Sequence, residues 1–156
     1  MSKRVGPGPK GQGTEAASEG RGVVDLADAR LRLKSRARGG PSHESLTQEL
    51  NEVYSLLDQG LSVEARSRLT SLIAAARNDP SILALARCAL STALEMQGHS
   101  RESLSAVAMY ESPESRANLD EEVHCTLRVQ ISLAHNYNGD HPKAISLLKS
   151  AIRELT

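Results

Sequence analysis

Beyond residue 40 the chain has only three glycines, Gly60, Gly98 and Gly139, and each closes one run of helical period and opens a second, shorter one. The strings that follow them are GLSVEA, GHSRES and GDHPKA, and the glycines stand 38 and 41 residues apart. A turn residue recurring at that interval marks repeated supersecondary units, each unable to bury its apolar face alone. Five residues after each glycine stands a small side chain, Ala65, Ser103 or Ala144, and nine after it an aliphatic one, Leu69, Val107 or Leu148. Four before it stand Leu56, Leu94 and His135, and seven before it Val53, Ser91 and Ser132. Small residues at a helix crossing let the axes approach to about 8–10 Å, with large aliphatics filling the groove beside them.

The pattern predicts three antiparallel helix hairpins, with helices at 44–59 and 63–77, 80–97 and 101–111, and 119–138 and 141–155. Ser45 with Gln48 and Asn118 with Glu121 have the spacing of capping boxes, and Asp79 precedes Pro80, a residue suited to a first helical turn. Ser62, Ser100 and Asp140 are placed to cap the second helix of each pair.

Composition supports helices over sheets. Aromatics are 2% of the chain, with no Trp or Phe, so burial falls to Leu, Ile, Val and Ala. The zero net charge divides unevenly, because residues 1–40 carry nine Lys/Arg against four Asp/Glu while the remainder carries ten against fifteen. Residues 1–22 hold six of the eleven glycines and are expected to be disordered, since they cannot bury enough surface to offset their ordering entropy. Residues 23–40 read as a basic arm with helical character, acidic early and basic late, ended by Gly39, Gly40 and Pro41. Two cysteines without a close pair, no apolar run of about 20 residues and no leader-like start predict a cytoplasmic protein without a membrane span.

A helix pair with glycine at its turn and a small residue five positions later resembles the tetratricopeptide repeat (TPR). The third unit, SLAHNYNGDHPKAISLLKSAI, matches best; the second, LSTALEMQGHSRESLSAVAMYE, carries Ser103 in place of Ala. The resemblance covers residues 44–156, in units of about 44–78, 79–112 and 118–156, with periods longer than the usual ~34 residues. It implies an all-α fold, a right-handed stack of three antiparallel hairpins forming a TPR-like α-solenoid after the basic arm. The function it implies is non-catalytic: a scaffold that binds another protein or peptide through a concave groove, without a cofactor, within a larger regulatory protein. The groove would be lined by first-helix residues three and six before each glycine, Leu57, Glu95 and Asn136 with Tyr54, Thr92 and Leu133, and bordered by Asp58, Met96 and Tyr137. The Lys and Asn by which some relatives clamp a terminal carboxylate are replaced by Leu50 and Tyr54, which disfavours a chaperone-tail adaptor.

The last helix carries Ala144, Leu147, Leu148, Ala151, Ile152 and Leu155 on a stripe wider than one preceding helix covers. That predicts self-association, a docked partner, or a chain that continues.

Sharper chemistry finds little footing. Cys88, His124, Cys125 and His135 have no compact metal-ligand spacing, and no nucleophile elbow, zincin, dinucleotide or P-loop string occurs. The alternative to a scaffold is a nucleic-acid-associated regulator that binds through Arg30, Arg32, Lys34, Arg36 and Arg38. The alternating spacing of these cations spreads them around a helix, and no aromatics are interleaved for base stacking.

Overall fold

The computed structural model describes residues 40–155, and the expectations for the N-terminal tail and basic arm lie outside the described residues. The helices are α1 His43–Asp58, α2 Ser62–Ala75, α3 Pro80–Met96, α4 Ser100–Val107, α5 Pro113–Arg116, α6 Glu121–Tyr137 and α7 His141–Leu155, with a 3-10 turn at Ala108–Tyr110. Among the described residues there is no strand. The helices pair as three hairpins, α1 with α2, α3 with α4 and α6 with α7. The hairpins stack in order, since α3 packs on both helices of the first pair and α6 on both helices of the second.

Each hairpin turns through the same backbone device. Gly60, Gly98 and Gly139 have φ of 77, 77 and 82°, in the left-handed region that glycine enters without a Cβ clash. At the first turn the Gly60 N–H donates to the Leu57 carbonyl at 3.0 Å, and the Leu61 N–H reaches back to Leu56 at 2.9 Å. The same pair of bonds recurs from Gly98 and His99 to Glu95 and Leu94, and from Gly139 and Asp140 to Asn136 and His135. Otherwise unpaired carbonyls at three helix ends are thereby satisfied.

The start caps follow the expected positions only in part. Asp79 caps α3, its carboxylate accepting from the Ile82 N–H at 3.2 Å with Pro80 in the first turn, and Asp140 accepts from Lys143 N–H at 3.3 Å. In α1 the cap is Ser42 rather than Ser45, and α6 begins after Asp120 without a side-chain cap. Ser62 and Ser100 lie inside α2 and α4, whose cap positions are Leu61 and His99. The Gly–X–helix turn is so short that the chain enters the next helix one residue early, past the point where a serine could cap.

The second hairpin departs most from the expected lengths. Its return helix stops at Val107 and tightens into the 3-10 turn, and the single-turn α5 follows where a loop was expected. Arg116 explains the closure: it is buried and donates from one nitrogen to the carbonyls of Tyr110 and Glu111 at 2.6 and 3.0 Å.

Two apolar clusters lie at the two joints of the stack. The first gathers Leu46, Leu50, Val53, Ala65, Leu69 and Leu72 around Ile82, Ala86, Ala89 and Ala93 of α3. The second sets Ala84, Cys88, Val107 and Tyr110 against Val123, Leu127, Ile131 and Ala134 of α6. Burying side chains the size of Leu69 or Leu127 contributes about 1.5–3 kcal/mol apiece.

Candidate protein-binding surface

Residues three and six before a helix-ending glycine lie one turn apart on a single helix face. Tyr54 and Leu57 in α1 are half-buried and pack against the first cluster. Burial raises the Tyr54 hydroxyl to about 12, with a smaller push from Cys88. These two positions therefore serve packing at least in part.

Thr92 and Glu95 in α3 are engaged with the next repeat. The Thr92 hydroxyl donates to the Cys88 carbonyl at 3.2 Å and lies 3.3 Å from Gln130 Oε1. Glu95 Oε1 accepts from the Ser103 hydroxyl at 3.0 Å and from Gln130 Nε2 at 3.1 Å. Partial burial raises the Glu95 carboxyl above its ordinary value, and these two hydrogen bonds offset part of the rise.

The other four lie exposed. Met96, Leu133 and Tyr137 are exposed apolar side chains, and Asn136, also exposed, accepts through Oδ1 from His141 Nδ1 at 2.7 Å across the third turn. A flexible thioether and a ring with a polar tip beside an amide suit adaptable contact with a polypeptide.

Two residues of this face were not read from the sequence. Val129, one turn before Leu133 on α6, is an exposed aliphatic that the repeat pattern does not reveal, since the matching Leu50 and Cys88 are buried. Gln130 is buried at the joint and donates to Ser91 Oγ at 3.0 Å, completing the network to Glu95. Its signal was a polar residue at a position where α3 carries Ala89, because a buried amide requires partners.

The last-helix stripe divides. Ala144 and Ala151 are buried, Leu147 is half-buried, and Leu148 and Ile152 are exposed together with Ile145; the Leu155 side chain lies outside the described residues. His135, four before Gly139, is buried with Nε2 3.5 Å from Glu111 Oε1. Glu111 also pairs with Lys143, whose hydrogen bond is the main cause holding its carboxyl below the ordinary carboxylate value.

A small cleft of ≈ 180 Å³ is lined by Glu111, Arg116, Arg128, Ile131, Leu147 and Glu154. Its guanidiniums are engaged, Arg128 with Glu154 and with Ser150 Oγ at 3.0 Å, and Arg116 with the two carbonyls above. Among the described residues no group of three His, Cys, Asp or Glu could hold a metal ion, and no helix is long and apolar enough to cross a membrane. Burial pushes the Cys88 thiol up to about 12, which makes it a poor thiolate source at neutral pH.

No protein-family model matches the chain, and no curated protein matches it. Among solved structures, the crystal structure of the TPR domain of Arabidopsis FLU superposes with a TM-score of 0.62 at 21% identity, covering 74% of this chain and 98% of that one. At that identity the likeness speaks for the fold, which is an all-α helical-repeat solenoid of the TPR type.

Proposed function

We propose that this chain is a non-catalytic scaffold that binds another polypeptide along the first-helix face of its repeats. The observation that carries the reading is the exposure of Met96, Leu133 and Tyr137 at three of the positions that the TPR resemblance assigns to the groove. Exposed apolar residues scattered singly are ordinary, but Met96 and Tyr137 recur two before the glycine in successive repeats and Leu133 lies one turn before Tyr137, which extends them into one surface. Asn136 adds a hydrogen-bonding amide beside them, while Tyr54, Leu57, Thr92 and Glu95 frame it and tie the repeats together.

The test compares wild type with Met96→Glu/Leu133→Glu/Tyr137→Glu as baits in quantitative affinity purification from the native host. All three side chains are exposed, so circular dichroism should be unchanged. The scaffold reading expects specific protein partners to be lost with the triple variant and retained by residues 41–156. Partners that survive the triple variant but vanish with deletion of residues 1–40 would place binding in the basic arm instead.

A further inference from the structure

The joints of the stack define a register. Four positions of α3, namely Ile82, Ala86, Ala89 and Ala93, enter the groove between α1 and α2, and the matching positions of α6, Val123, Leu127, Gln130 and Ala134, enter the groove between α3 and α4. Those incoming helices cover two marker positions: ten residues before the glycine, and nine after it. Leu50 and Cys88 are 2% and 4% exposed at the first marker, whereas Val129 is 46% exposed. Leu69 and Val107 are 0% exposed at the second, whereas Leu148 is 36% exposed. The groove between α6 and α7 is thus built on the same plan as the two filled ones, and Ile145 and Ile152 extend its apolar wall.

A second copy of the chain is a poor occupant. In α1 the four register positions are Glu44, Gln48, Asn51 and Ser55, all exposed, so a head-to-tail neighbour would offer a polar ridge to an apolar groove. A tail-to-tail neighbour would set groove against groove and bring like charges together. The last two turns of α7 carry Lys149 and Arg153 where α2 has Thr70 and Ala74 and the second unit has Ala108 and Ser112. Because neighbouring helices run antiparallel, these cations stand where an incoming helix would begin. The two helices that fill the other grooves begin at Asp79 and at Asp120, Glu121 and Glu122, acidic starts that the helix dipole also favours.

We propose that the α6/α7 groove receives one amphipathic helix of a partner polypeptide, acidic in its first turn, with aliphatic residues at positions i and i+4 and a small residue at i+11. This surface adjoins the one argued above, meeting it at Val129 of α6, and its occupant takes the place that α3 and α6 take on the two preceding hairpins. Helix-in-groove recognition of this kind reads a few anchors on one helix face.

The probe is a blocked, fluorescently labelled peptide of residues 118–138 of this chain, which carries the acidic start and the ridge. Its anisotropy is titrated with the whole protein under reducing conditions. The expected result is saturable binding that Leu148→Glu weakens by about tenfold or more, as loss of a central anchor does, and that Val63→Glu, at an exposed position of α2, leaves unchanged. Ile145→Glu, at a more exposed site, is the second variant should Leu148→Glu alter the circular dichroism. Absence of saturable binding, or binding indifferent to both groove variants, would overturn the proposal. Sedimentation showing a dimer of the free chain that Leu148→Glu dissociates would overturn it in favour of a second copy. Failure of the affinity comparison with the Met96, Leu133 and Tyr137 variant would leave this result untouched, so the two readings fail separately.

Discussion

Ser91 Oγ and Ser103 Oγ lie 2.8 Å apart where the two helices of the second hairpin cross, both with no exposed surface. The other two crossings hold Val53 with Ala65 and Ser132 with Ala144. A hydroxyl in the place of the usual Ala is tolerated here because the polar atoms form a chain: Gln130 donates to Ser91, and Ser103 donates to Glu95. Ser103→Ala should therefore destabilise the protein by about 1–2 kcal/mol, although it restores the commoner residue, because it removes two bonds and takes from the Ser91 hydroxyl its acceptor in Ser103. The Ser91→Ala/Ser103→Ala pair should cost less than the sum of the single changes, and urea unfolding of the four proteins reads the coupling. Strict additivity would contradict the network.

Glu95 gives this joint a pH signature. Its carboxyl is raised in the folded state, so the native protein holds the proton more tightly than the unfolded chain, and stability falls as pH rises from about 4.5 through the folded value. Glu95→Gln should remove that loss: its melting temperature should gain on wild type as pH rises from 4 to 8. Glu111 works with the opposite sign, being lowered by Lys143, so its contribution is present at neutral pH and fades as pH falls below the ordinary carboxylate value. A melting-temperature difference for Glu95→Gln that is flat with pH would contradict this assignment.

Gly98 has φ of 77° and open space around the position of an added Cβ. Gly98→Ala should cost about 1–2 kcal/mol from backbone conformation alone, with no clash to relax. Gly98→Asn should cost less, since Asn enters the left-handed region more readily. Equal costs for the two variants in chemical denaturation would contradict the left-handed conformation as the cause.

Leu69 and Leu148 occupy the same register in the first and third repeats, yet one is covered and the other is not. Leu69→Ala should cost about 2–5 kcal/mol, the range for a buried leucine in a packed core. Leu148→Ala should stay within about 1 kcal/mol in the isolated protein. Thermal or urea unfolding checks both.

The hairpin register was legible because one glycine per repeat has a backbone duty that few other residues can perform. Ala65, Ser103 and Ala144 were legible for a similar reason, since a helix crossing admits only small side chains. The end of α4 was not, because the 3-10 turn that follows Val107 is closed by Arg116, whose guanidinium donates to the Tyr110 and Glu111 carbonyls in a contact that helical period does not reveal. The groove positions were half legible. Periodicity placed Thr92 and Glu95 on the right face of α3, but whether they met solvent or the next repeat depended on Gln130, which sits 38 and 35 residues away. Exposure of Val129 was equally hidden, as the same position is buried in the two repeats before it.

Placing a photo-crosslinking amino acid at Tyr137, with a control at the exposed Ser105 of α4, tests the scaffold reading most directly. A discrete protein adduct is expected from Tyr137 in the native host, lost on Leu133→Glu and absent from the Ser105 control. No adduct at Tyr137, or the same adducts from both positions, would contradict that reading.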